Sequence, residues 1–63
     1  MKFVVYLDGS VKDENGKSVF QSSISQQDAR EVFHKTIAES GYIIDEEWEM
    51  DDDSIEITTI KGN

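Results

Sequence analysis

ISQQDAREVFHKTIAESG, residues 24–41, decides the fold, because its polar start, apolar stripe and terminal glycine together describe one complete helix. Ser25 is placed to accept a hydrogen bond from the amide of Asp28, and Asp28 suits the positive end of the helix dipole. Ile24 and Ala29 hold the two positions of a hydrophobic staple, so the helix is predicted to begin at Gln26. Ala29, Val32, Phe33, Thr36 and Ile37 recur at steps of three and four, a single stripe suited to lie on a sheet. Gly41 ends the helix, since glycine takes the left-handed backbone needed just past a helix and leaves Tyr42 free to fold back on Ile37.

Outward from the helix, both flanks read as strand. Lys2 to Val11 carries apolar residues on both parities, Phe3, Val5 and Leu7 against Val4 and Tyr6, the pattern of a strand covered on two faces. Asp13-Glu14-Asn15-Gly16 offers an Asn-Gly pair suited to a type I′ turn, after which Lys17 to Ile24 resumes with Val19 and Phe20. Downstream, Tyr42, Ile44, Trp48 and Met50 share one parity and Asp45, Glu47 and Glu49 the other, with Glu46 interrupting the apolar set. By that parity Tyr42 and Trp48 are expected in the core beside Ile44. Asp51-Asp52-Asp53-Ser54 is a polar break, and Ile55, Ile57 and Thr59 alternate with Glu56, Thr58 and Ile60 in a last strand, with Lys61-Gly62-Asn63 fraying. The expected fold class is α+β: a small two-layer domain over residues 1–63, an antiparallel sheet with one helix on one face, in the order β-β-α-β-β. The face away from the helix would show Val4, Tyr6, Phe20 and Ile60 to water, a candidate surface for a second copy or a partner. Sheet twist and the long Trp48 side chain are the alternative cover for it.

Sixty-three residues leave room for one core. A chain this short buries only ~60% of its unfolded surface, for about 3–5 kcal/mol net. No cysteine is present, which removes disulfides and thiolate metal sites and makes self-association the expected supplement. The longest apolar run, Phe3 to Leu7, is far below a membrane span and no signal-type core is present, so a cytoplasmic location is expected. Fourteen acidic residues against six basic give a net charge of −8, which repels nucleic acid and anionic membranes and attracts basic proteins.

The charge is concentrated. Asp45, Glu46, Glu47, Glu49, Asp51, Asp52, Asp53 and Glu56 fall within twelve residues, and beyond residue 44 only Lys61 opposes them. On paired strands they would repeat at roughly 3.3 Å per residue, near the ~3.4 Å spacing of phosphates on one nucleic-acid strand. One reading is a phosphate-mimicking surface, with Trp48 as an aromatic anchor; the other is a solvated strand face that keeps the protein soluble. Like charges on paired strands are destabilising, which argues for a compensating use in so small a fold.

Other chemistries find no motif. Asp51-Asp52-Asp53 offers hard oxygen ligands but lacks the alternate spacing, central glycine and terminal glutamate of a calcium loop, so no metal is expected. His34 lies off the apolar stripe and reads as a surface residue, and no thiol nucleophile exists. Gly9, Gly16, Gly41 and Gly62 never cluster into a phosphate loop, and Ser22, Ser23 and Ser25 are ordinary hydroxyls, the last a cap. Neither an enzymatic activity, a cofactor nor direct nucleic-acid binding is therefore expected.

The size, the Asp13-Glu14-Asn15-Gly16-Lys17 turn before a Ser25-capped helix, and the acidic block 45–56 resemble, as an outline, small acidic phage-encoded inhibitors: anti-CRISPR proteins, anti-restriction DNA mimics and uracil-DNA glycosylase inhibitors. That resemblance implies a basic nucleic-acid-binding protein as partner, met by the acidic residues and Trp48. The layout is also similar to small accessory proteins of bacterial RNA polymerase, which implies binding through the apolar sheet face. A third class, an ordinary module working beside a larger enzyme, would leave the acidic block incidental.

Overall fold

Ser25 adopts the extended backbone of an N-cap, and its hydroxyl accepts from the Asp28 amide at 3.2 Å, so α1 runs Gln26–Glu39 as its capping residues dictate. The computed structural model describes residues 1–21 and 25–62, without the side chains of Phe20 and Gln21. The Ile24 half of the staple, Ser22, Ser23, the last residues of the expected Lys17–Ile24 strand and Asn63 lie outside the described residues. Gly41 has a φ of 83° just past the helix, as its position there requires.

The chain forms β1 (Lys2–Val5), β2 (Ser10–Asp13) and β3 (Ser18–Gln21), then α1, then β4 (Tyr42–Glu49) and β5 (Ile55–Lys61). The fold is α+β, with a five-stranded antiparallel sheet ordered β3-β2-β1-β5-β4 and the helix on one face. The order along the chain is β-β-β-α-β-β, so the single first strand expected over Lys2–Val11 is corrected to a hairpin. Asp8-Gly9 breaks it: the Gly9 amide bonds the Tyr6 carbonyl, the Tyr6 amide bonds the Ser10 carbonyl, and Leu7 stands 61% exposed at the tip. Far from sharing a buried face with Phe3 and Val5, Leu7 belongs to a turn.

The turns after β1, β2 and β4 are built alike. In Tyr6–Ser10, Asp13–Lys17 and Met50–Ser54 the first amide bonds the fifth carbonyl, the fourth amide bonds the first carbonyl, and the fourth residue has positive φ. This is a type I turn closed by a left-handed residue, not the type I′ turn expected at Asn15-Gly16, because Gly16 alone of that pair is left-handed. Gly9 and Gly16 fill the left-handed position in the first two turns; Asp53 fills it in the third, at φ 66°.

Phe3, Val5, Val11, Ile55 and Ile57 of the sheet and Ala29, Phe33 and Ile37 of the helix make the core, with Tyr42 and Ile44 packed against it. Phe3 and Phe33 meet edge-on at 4.9 Å, a favoured aromatic geometry. The buried stripe is narrower than the sequence suggests. Only the four-residue ridge Ala29-Phe33-Ile37 is covered, whereas Val32 is 49% exposed and Thr36 faces water with its hydroxyl on the Val32 carbonyl. Lys61 does not fray: it pairs with Tyr42, and the Gly62 amide bonds the Gly41 carbonyl at 2.8 Å. No described helix is long and apolar enough to cross a membrane.

Candidate partner-binding surface

The position of every acidic side chain in the last hairpin depends on one extra residue. Ile44 pairs with Thr59, yet Glu46 pairs with Thr58, so Asp45 is bulged out of the ladder. Alternation restarts beyond it with the faces exchanged. Tyr42 and Ile44 lie on the helix side, but so do Glu47 and Glu49, opposite buried Ile57 and Ile55. Glu46 and Trp48 are turned to the open face. The expected core position of Trp48 is thereby corrected: the indole is 57% exposed, and Met50 is exposed as well. Glu46 on the apolar parity of the sequence was the mark of this bulge.

Glu47 is consequently a structural acid. Its Oε1 accepts from Arg30 Nε at 2.7 Å and lies 3.0 Å from His34 Nε2, so the helix and β4 are joined where the apolar core ends. The Arg30 hydrogen bond holds the Glu47 carboxyl below the usual carboxylate range, partial burial opposes it, and the contact with His34 adds to the lowering. Arg30 is raised correspondingly, chiefly by the same bond. His34, expected as a plain surface residue, is one of the two groups that fix this carboxylate. Arg30 carried no signal in the sequence beyond its place one turn before His34.

The other acids divide by surroundings. Glu56 sits on the open face 3.2 Å from Lys2 Nζ. Asp52 folds into its own turn, where the Ser54 hydroxyl and amide both donate to Oδ1 and lower its pKa; Asp8 and Ser10 repeat the arrangement in the first turn. The Gln26 side-chain amide donates to the carbonyls of Asp53 and Val5, which sets the acidic turn beside the start of α1. There the helix dipole offsets part of the like-charge repulsion. Part of the cost of clustering acids is thus met within the fold, at Glu47, Glu56 and the turn. Asp45, Glu46, Asp51 and Asp53 are exposed and have no ion pair among the described residues.

On the open face, Trp48 Nε1 donates to Glu46 Oε2 at 3.1 Å, which orients the exposed indole along the strand. Ile43 and Ile60 pair directly across β4 and β5, and both are exposed. Val4 and Tyr6 are half-buried, with the ammonium of Lys12 over the Tyr6 ring at 5.6 Å. Phe20, grouped with them in the sequence reading, pairs with Val11 in register, and its side chain lies outside the described residues. The face is therefore not the plain apolar patch expected: Lys2, Lys12, Glu46 and Glu56 interrupt it. At its turn end a hollow of about 410 Å3 is lined by Val4, Tyr6, Met50, Asp51, Asp52, Ser54 and Glu56, aromatic and aliphatic side chains together with carboxylates. Such a lining suits the apolar stem and charged head of a lysine or arginine.

No group of three or more histidine, cysteine or acidic side chains among the described residues is arranged to hold a metal ion. Compared with models of known families, with curated proteins and with solved structures, the chain matches none.

Proposed function

We propose that the protein is a small cytoplasmic inhibitor that binds the basic, nucleic-acid-contacting surface of another protein through the open face and tip of its β4–β5 hairpin. It would act as a phage-type counter-defence protein does, by meeting lysines and arginines that otherwise hold phosphates. The reading involves no catalytic step, no cofactor and no direct contact with DNA or RNA. Its main support is Trp48, an exposed indole held by Glu46, across the ladder from Glu56 and beyond the bulge, without which its parity with Ile44 would have turned it toward the core. Exposed aromatics amid charge are favoured anchors, and opposed fields speed association. Glu47, engaged by Arg30 and His34, is withdrawn from the contact set; Asp45, Glu46, Asp51, Asp53 and Trp48 carry it, with Asp52 and Glu56 lining the hollow and Glu49 adding its charge from the helix side of the hairpin end.

A second reading is favoured by the exposed Ile43–Ile60 pair: a subunit seated by its open face on a larger assembly such as RNA polymerase. Affinity for the partner, isolated from a bacterial lysate and purified, separates the two. Charge reversal at Glu46, Asp51 and Asp53 should weaken binding at least tenfold, and rising salt should weaken the parent complex. Reversal at Asp13 and Glu14 should do neither. Binding that ignores salt and falls with Ile43→Ser and Ile60→Ser instead supports the subunit reading. Sedimentation of the free protein as a dimer would assign the open face, with Val4 and Tyr6, to a second copy.

A further inference from the structure

We infer that the outer edge of β4 accepts an extended, basic segment of the partner as a sixth strand, an inference that rests on the acidic hairpin being the partner-binding surface. β4 is the last strand of the sheet and has no strand on its outer side among the described residues. It is eight residues long, whereas β3, at the other edge, has four. The Met50 amide bonds the Ser54 carbonyl, which fixes a hydrogen-bonded pair at the turn. Alternation then sends the backbone groups of Trp48 toward β5 and those of Glu49 and Glu47 outward. From the other end the Gly62–Gly41 bond sets the same alternation, so Ile44 and Tyr42 also point their backbone groups away from β5. A long row of donors and acceptors is left for an added strand.

Charge selects the occupant. In an antiparallel pairing of two copies along β4, Asp45, Glu46, Glu47 and Glu49 would oppose one another, and like charges directly across a ladder are destabilising. The bulge at Asp45 further disrupts self-pairing. A second copy is therefore the wrong strand, and one with lysine or arginine at alternate positions is the right one. Glu47 is already engaged from the helix, so the basic side chains belong on the open face, where Glu46 offers a carboxylate and Trp48 an indole surface.

The test uses the full chain and synthetic octapeptides of alternating lysine and valine, one unmodified and two N-methylated at every second residue, one in each phase. With the unmodified peptide at low salt, amide shifts should concentrate at Ile44, Glu47 and Glu49, and their hydrogen exchange should slow. At least one methylated phase should bind at least tenfold more weakly, because it loses the donors that face β4. The double variant Glu46→Lys, Glu49→Lys should also bind the unmodified peptide at least tenfold more weakly. If neither methylated peptide is weakened while the charge variant is, strand addition is wrong and the acidic contact surface stands. If the unmodified peptide does not bind, or binds the charge variant equally well, both readings fall.

Discussion

The two halves of β4 on either side of Asp45 do opposite work with the same backbone. Before the bulge, Tyr42 and Ile44 turn toward the helix and close the core, and Ile43 turns outward. After it, carboxylates occupy the helix side, one of them locked by Arg30 and His34, and the largest aromatic of the chain stands outside. One extra residue converts a strand that buries apolar surface into one that displays charge, without interrupting its pairing to β5. On β4 the apolar contribution to the core ends at Ile44; beyond it the buried apolar residues, Ile57 and Ile55, come from β5, and β4 is held by its pairing, polar contacts and the turn. That half can therefore vary in sequence, or engage a partner, at little expense to the fold.

The largest expected effect sets the aromatic inside against the aromatic outside. Phe33→Ala removes a side chain that is 1% exposed and should cost about 3–5 kcal/mol, near the whole stability of a domain this size. Trp48→Ala should cost less than about 1 kcal/mol, as surface changes do. Urea unfolding followed by circular dichroism checks both. A Trp48→Ala loss equal to that of Phe33→Ala would mean the faces of β4 had not been exchanged at the bulge.

Glu47 is the next point of pressure. Glu47→Gln should cost about 1 kcal/mol at pH 6, between the value of a surface pair and that of a buried one, since the two side chains are 19% and 32% exposed. The folded pKa lies below the ordinary 4.5, so the ionised group's contribution is fully present above that value and is lost as pH falls through the folded pKa. The difference between parent and variant should thus be present at pH 6 and should shrink markedly by pH 3 in the same unfolding measurement. A difference that stays constant with pH would assign the effect to packing.

How much of this was legible follows from where each element gets its information. The helix was readable because its signals are local: Ser25 bonds three residues ahead and Gly41 marks its own backbone. The two-layer α+β class followed from it. The first hairpin was misread although Asp8-Gly9 is as good a turn signal as Asn15-Gly16, because apolar residues on both parities from Phe3 to Leu7 resembled one long covered strand. The exchanged faces of β4 were hidden for a different reason. A bulge is set by the partner strand, and nothing local distinguishes Asp45 as the extra residue except the misplaced Glu46. The acidic block was plain in the sequence as a count, but its division into locked Glu47, paired Glu56 and exposed Glu46 depends on Lys2, Arg30 and His34, which are distant in the chain; turn-bound Asp52 instead has its partner, Ser54, close by.

Beyond the bulge, register is pinned from the far end by the Met50–Ser54 turn, and that turn carries a strain its two counterparts lack. Asp53 is the non-glycine residue with positive φ among the described residues, where Gly9 and Gly16 stand in the matching turns. Asp53→Gly should stabilise the protein by about 0.5–1 kcal/mol, since a left-handed backbone costs a side-chain-bearing residue on that order and aspartate somewhat less. Thermal unfolding should show the rise, and amide shifts outside residues 50–55 should stay in place. A loss of stability would mean that the Asp53 side chain repays its backbone strain through contact with the helix start.

The smallest expected effect is the sharpest test of the comparison between the two halves. Because Asp45 is the residue without a partner between Ile44↔Thr59 and Glu46↔Thr58, deleting it should join two stretches already in register. Ile44 would stay inward, Glu46 outward, Glu47 inward and Trp48 outward, the alternation of an unbulged strand. Stability should change by less than about 0.5 kcal/mol, as for a surface substitution. Trp48 fluorescence should keep the red-shifted emission of an exposed indole, and Glu47→Gln should cost the shortened chain what it costs the parent. The opposite result is equally definite: if the extra residue were needed to hold the outer half in its register, the deletion would let that half slip by one position against β5 and reverse its faces. Trp48 would then turn to the helix with a blue-shifted emission, and the Arg30–Glu47 bond would be lost, so that Glu47→Gln would have no further effect.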